Sequence, residues 1–143
     1  MTSPADVHRE LADAWNRRDF ERVRSLLHPQ YRHTGPDGGE LAGCPDSAIA
    51  MMESFAGAFA DGRMQVQRVF VHGDAAVAEI VFRGTHTGEL SGIAPTGRRI
   101  EVRICNVVEV RDGKVLEERE YFDMLHLMSQ LGAVSVTGGV VTA

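Results

Sequence analysis

The stretch RRIEVRICNVVEVRDGKVLEEREYFDMLHLMSQLG, residues 98–132, decides the fold. It reads as two strands joined at Arg111-Asp112-Gly113, then a short helix with Asp123 as its N-cap. Side chains alternate along a strand, so Val102, Ile104, Asn106, Val108 and Val110 share one face, where Asn106 is the only polar group. On the second strand Leu116, Glu118, Glu120, Phe122 and Met124 share a face. An amide and a carboxylate on otherwise apolar faces imply a lined pocket, because burying such groups without partners costs about 1–3 kcal/mol. The turn decides whether the two faces coincide. A two-residue loop at Asp112-Gly113 pairs Arg111 with Lys114 and sends Asn106 and Glu120 to opposite faces. A three-residue loop with Gly113 left-handed pairs Val110 with Lys114 and Val108 with Leu116, and puts Asn106 and Glu120 on one face. The hydrophobic pattern favours the second register, which is therefore expected.

Upstream, Ser3-Pro4 with Asp6 opens a helix whose buried stripe is Val7, Leu11, Ala14 and Trp15. Asp19 caps a short second helix, which His28-Pro29 is expected to stop. A short strand follows over residues 30–34, then the loop Gly35-Pro36-Asp37-Gly38-Gly39. Asp46 is expected to cap a third helix with Ile49, Met52, Phe55, Ala56 and Phe59 inward. The period then changes to that of strands, over residues 64–71, 75–87, 98–110 and 114–121. Helices first and an antiparallel meander after them predict an α+β fold with the helices on one face of a curved sheet. Residues 1–132 form one domain in this reading. The small, β-prone tail, residues 133–143, is expected to rest on its own domain or on a neighbouring subunit.

The chain has 143 residues, enough for one domain with a real core. Its net charge of -5 is spread without a basic stripe, which argues against nucleic acid as a partner. Cys44 and Cys105 stand alone, without metal-type spacing, and two lone thiols fit a reducing cytoplasm. The first ten residues are charged and lack the apolar core of a secretory signal, and no apolar run is long enough to span a membrane.

Four groups of residues resemble one family when taken together and in order. They are Leu27-His28-Pro29-Gln30-Tyr31; Gly84-Thr85-His86-Thr87-Gly88 with Gly92-Ile93-Ala94-Pro95-Thr96-Gly97-Arg98-Arg99; Asp112-Gly113-Lys114-Val115; and Tyr121-Phe122-Asp123 leading to Gln130-Leu131-Gly132. With them the chain resembles the SnoaL-like polyketide cyclases of the NTF2-like superfamily. The resemblance implies a cone-shaped α+β barrel, a homodimer through the open sheet face or a higher homo-oligomer, a small apolar or aromatic carbonyl compound as ligand, and no cofactor. It also implies that Glu120 occupies the place of the family's Asp general acid/base and Asn106 that of its His partner. The longer Glu moves the carboxylate by roughly 1.5 Å, so the substrate pose must differ. The same region is similar to the limonene-type epoxide hydrolases, in which the residues matching Glu120, Tyr31 and His33 activate a water. Those enzymes need an Arg-x-Asp pair on the strand that here reads Ala78-Glu79-Ile80-Val81-Phe82-Arg83, and the pair is missing.

The residues thus singled out are Glu120 as base and Asn106 as donor, or as a core amide. Tyr31 and His33, two apart on one strand, can orient a substrate oxygen. His86 either closes the pocket mouth or marks a bend among small residues. Trp15 either lines the cavity for a flat aromatic ligand or belongs to the core. Glu120 has a structural alternative as well, an ion pair with Arg103 or Arg119. No metal cluster, phosphate-cradling loop or Ser-His-Asp arrangement is visible. The chemistry that follows is carboxylate acid/base work such as aldol ring closure. A non-catalytic binding or assembly domain, and a cofactor-free hydroxylase, hydrolase or isomerase, are the alternatives.

Overall fold

The capping chemistry at Ser3 sets the start of helix α1 (Pro4–Asn16) in the computed structural model, which describes residues 2–143. The Ser3 hydroxyl accepts from the Asp6 N–H, and the Asp6 carboxylate accepts from the Ser3 N–H. Val7, Leu11, Ala14 and Trp15 are buried, and so is His8. Asp19 caps α2 (Phe20–Ser25) through the Arg22 N–H. The His28-Pro29 pair then behaves differently from expectation. The helix has already ended at Ser25, capped by Leu26, and the pair lies inside strand β1 (Leu27–Thr34). Pro29 has no N–H to give, and the β1 ladder is irregular between Leu27 and Arg32.

A short strand that the sequence pattern did not suggest, β2 (Glu40–Ala42), leads into α3 (Pro45–Ala58). The cap of α3 is Cys44, two residues before the expected Asp46. Pro45 takes the first helical position, and the Ser47 hydroxyl accepts from the Cys44 N–H. Strands β3 (Arg63–His72), β4 (Ala75–Thr85), β5 (Arg99–Arg111) and β6 (Lys114–Phe122) form the meander, and Asp123 caps α4 (Met124–Gln130) through the His126 N–H. The sheet runs β2-β1-β6-β5-β4-β3, with β1 parallel to β6 and the other pairs antiparallel. The sheet is thus mixed where a purely antiparallel one was expected, because the first long strand returns beside the last. The curved sheet buries Ala76, Phe82, Ile100, Val102 and Val108 against Trp15, Ala56 and Phe59 in one core.

Asn106 and Glu120 do face each other, but not through the expected turn. The hairpin has the two-residue loop: Arg111 pairs with Lys114, and Asp112 and Gly113 both have positive φ, 54° and 73°. Such a turn matches the twist of the strands. By itself it separates Asn106 from Glu120. A bulge between Glu109 and Val110 on β5, opposite Leu116 on β6, adds one residue and restores the match. Beyond it Val108 pairs with Glu118, not Leu116, and Asn106 pairs with Glu120. The inward parity of β6 therefore switches from Val115 to Glu118 across Leu116.

The tail forms a hairpin of its own, β7 (Ser135–Thr137) and β8 (Val140–Thr142), around Gly138-Gly139 with φ of 57° and 80°. All six strand residues are exposed, the three valines among them.

Candidate active site

Strand β6 brings two carboxylates to one inward face, and its neighbours supply their surroundings. The parallel pairing of β1 sets His33 against Glu118, with Tyr31 two residues earlier on the same side of β1. Strand β5 sets Asn106 against Glu120, and α1 brings in His8. Glu118, only 7% exposed, is the better held of the two acids. The Tyr31 hydroxyl donates to its Oε1 at 2.5 Å and Asn106 Nδ2 donates to its Oε2 at 2.8 Å. His8 Nε2 lies 2.9 Å from Asn106 Oδ1. An ionised carboxylate only accepts, so Asn106 must turn its N–H to Glu118 and its oxygen to His8, whose Nε2 then carries the hydrogen.

His33 sits between the acids. Its Nε2 is 3.4 Å from Glu120 Oε1 and 3.9 Å from Glu118 Oε2, and neither ring nitrogen makes a hydrogen bond with the protein. Burial pulls the His33 ring toward neutrality, but the Glu118 charge and then Glu120 outweigh it and raise its pKa above the ordinary 6.5. Burial pushes Glu118 upward, yet the His33 charge, the Tyr31 hydroxyl and the Asn106 amide hold it below the ordinary 4.5. Burial and the neighbouring Glu118 charge raise the Tyr31 phenol well above its ordinary range, so it stays a donor. The two shifts act in the same direction, each favouring a buried carboxylate–imidazolium pair.

The pair borders an apolar hollow of about 160 Å³, lined by Trp15, Met51, Met52, Phe55, Phe122 and Leu127 among others, with Glu118 and Glu120 at its polar end. A smaller hollow of about 50 Å³ adjoins it and is lined in part by His8 and Asn106. A wider depression of about 870 Å³ runs past Arg9, Asp61, Arg83 and Arg99 on the surface. It holds no buried titratable group, so the smaller, drier hollow is where chemistry is placed.

The profile of the SnoaL-like polyketide cyclases matches residues 5–131. The chain belongs to the SnoaL-like polyketide cyclase family. Among curated relatives, the aklanonic acid methyl ester cyclase DnrD of Streptomyces peucetius is 27% identical, over 92% of each chain. The nogalonic acid methyl ester cyclase of Streptomyces nogalater is 26% identical, over 85% of this chain and 92% of its own. Among solved structures, IdmH of Streptomyces antibioticus, named as a candidate polyketide cyclase, is 29% identical with a TM-score of 0.78, covering 90% of this chain and 98% of its own. AclR of Streptomyces galilaeus, named as a candidate hydroxylase, is 26% identical with a TM-score of 0.82, over 94% and 85%.

In this SnoaL-like chain the structure gathers Glu120, Asn106, Tyr31, His33 and Trp15 at the hollow or just behind it. It does not bring His86 there. That fully buried ring pins the connection between β4 and β5: its Nδ1 accepts from the Thr96 N–H at 3.2 Å and lies 2.9 Å from the Thr96 hydroxyl, beside Phe59. Glu120 is not paired with an arginine either, since Arg119 turns to Glu109 and Glu117. Two residues were missed. Glu118 carried a signal in its place beside Glu120 on an apolar row. His8 carried one in helical spacing, since positions 8, 11, 12 and 15 share a face with buried Leu11 and Trp15. Among the described residues, no group of three or more His, Cys, Asp or Glu side chains is placed to hold a metal ion, and no helix is long and apolar enough to cross a membrane.

Proposed function

We propose that this chain closes a carbon ring on an aromatic polyketide by intramolecular aldol addition, with Glu120 as the base. The observation that carries this reading is the inequality of the two acids. Glu118 is tied to Tyr31 and Asn106 and faced by His33. Glu120 borders the hollow with His33 as its charged neighbour and takes no side-chain hydrogen bond among the described residues. A base needs its lone pair free, and an anchor does not. The relatives named as cyclases of aklanonic and nogalonic acid methyl esters support an aromatic polyketide ester as substrate.

In the reaction Glu120 removes a proton from a carbon flanked by carbonyls. The His33 imidazolium, whose N–H groups are unspent, donates to the enolate oxygen. Tyr31 is already spent on Glu118, and Asn106 on Glu118 and His8. The enolate carbon attacks a second carbonyl, a carbon–carbon bond forms, and the new alkoxide takes a proton back from Glu120. The product is an isomer of the substrate, so no redox partner enters. The hollow is smaller than the ~300–1,000 Å³ usual for organic ligands. Met51, Met52 and Met64 line it, and such pliable side chains can swing aside to admit a polycycle.

The test is Glu120→Gln assayed by liquid chromatography on an aromatic polyketide methyl ester that carries an open aldol pair. Turnover falls by at least about 100-fold with the circular dichroism spectrum unchanged; full activity removes Glu120 as base. The likeness to AclR favours a second reading, a hydroxylase in which Glu120 forms the carbanion, dioxygen adds to it, and an external two-electron reductant reduces the resulting hydroperoxide to the alcohol and water; a product heavier by one oxygen, formed only with dioxygen present, would select it. In the same proposal, residues 1–132 are one domain, the tail packs against a neighbouring copy in a homodimer, and the protein works in the cytoplasm.

A further inference from the structure

Ring closure by Glu120 and His33 leaves His8 without a task, although its ring occupies a costly place. It is 2% exposed, on the face of α1 where an aliphatic side chain would pack, and it makes one hydrogen bond while its Nδ1 makes none. That bond goes to the amide that holds Glu118. The two ends of an Asn amide are nearly the same in shape, so packing alone cannot choose between them. Turned the wrong way, Asn106 would aim its oxygen at an anion. The Glu118 anion opposes this from one end, and a donor on Asn106 Oδ1 opposes it from the other.

We propose that His8 is a positioning residue for the acid/base wall: by donating its Nε2–H to Asn106 Oδ1 it holds the amide in the orientation that the Glu118 carboxylate selects. The chain of effect is short. A correctly turned Asn106 stabilises the Glu118 anion, and that anion stabilises the charged His33 beside Glu120. The groups facing His33 are Glu118 and Glu120 from β6 and Tyr31 from its own strand. Helices α3 and α4 contribute only Met51, Met52, Phe55 and Leu127 to the hollow. Among the described residues, His8 is the only ionisable side chain from a helix that borders these hollows, so the docking of α1 and the charge of the wall are set together.

The inference rests on the Glu120 reading only where turnover is measured. Two of its tests need no substrate. Nitrogen-15 NMR of the wild type should show a hydrogen on His8 Nε2. His8→Phe fills the ring's volume without the donor, and His8→Gln restores a donor. In His8→Phe, His33 should release its proton at a pH lower by about 0.5–1 unit, and the pH profile of kcat should move with it while KM stays within ~2-fold. His8→Gln should return both toward the wild type. An Nδ1–H tautomer in the wild type overturns the proposal. So does a His8→Phe variant with an unmoved His33 titration, or a Gln variant as displaced as the Phe one. If His8→Phe fails to fold, the wild-type tautomer still decides, and the smaller donor-free His8→Leu takes the place of the Phe variant in the titration. If no substrate is turned over at all, the NMR outcomes stand apart from that failure.

Discussion

Replacing Glu118 by Gln isolates the charge of the buried pair from its hydrogen bonds. The amide keeps the shape of the carboxylate. Its oxygen can still accept from Asn106 Nδ2, and its nitrogen can donate to Tyr31, since a phenol oxygen accepts as well as donates. What disappears is a negative charge 3.9 Å from His33 Nε2. At that distance two unit charges attract by about 4 kcal/mol with an effective dielectric constant of ~20. Opposing burial and the remaining Glu120 at 3.4 Å both moderate the change. The pH at which His33 gives up its proton should therefore fall by about 1–3 units. Carbon-13 NMR of the imidazole C–H groups, followed from pH 4 to 9 in both proteins, measures this directly. Turnover at pH 7 should drop by about 10- to 100-fold and recover in part on acidification, where His33 regains its proton. A variant whose His33 titrates where the wild type does would refute the ion pair, and with it the account of His33 as a charged donor.

Tyr31→Phe removes the 2.5 Å bond to Glu118 and should cost about 1.5–3 kcal/mol at pH 7, read as a lower urea midpoint; an unchanged midpoint contradicts the assignment. The pH dependence of stability has a definite sign. The lowered Glu118 contributes above its ordinary 4.5 and is lost as pH falls, while the raised His33 contributes below its ordinary 6.5 and is lost as pH rises. Urea titrations across this range should place the pair's largest contribution between about pH 4.5 and 6.5, and Glu118→Gln should flatten that window. Deleting residues 133–143 removes an exposed hairpin and should leave the circular dichroism unchanged while shifting the oligomer toward monomer in light scattering; an unshifted mass refutes the place proposed for the tail.

Much of this architecture was legible because its signals were local. Ser3, Asp19 and Asp123 cap helices as their side chains suggest, since a cap depends on three or four neighbouring residues. Alternation located Asn106 and Glu120 on inward faces for the same reason. What escaped depends on distant partners. A bulge at Leu116 leaves no mark in the composition of β6, so the correct face was reached from the wrong turn. The rank of the two acids was also hidden: Glu118 is the buried one because Tyr31 arrives from β1, 87 residues away. His86 misled because an imidazole among small residues reads the same whether it faces a ligand or a loop backbone.

The irregularity at Leu116 also bears on what the family can change. It sits between an exposed hairpin tip and the stretch of β6 that does the work, and it absorbs a one-residue mismatch before that mismatch reaches Glu118. The tip can therefore lengthen or shorten, provided the slack at that point is adjusted to compensate, while both acids keep their neighbours. Divergence at the rim and constancy at the wall become separable, and a scaffold of this kind can acquire new surroundings for its substrate without rebuilding its acids.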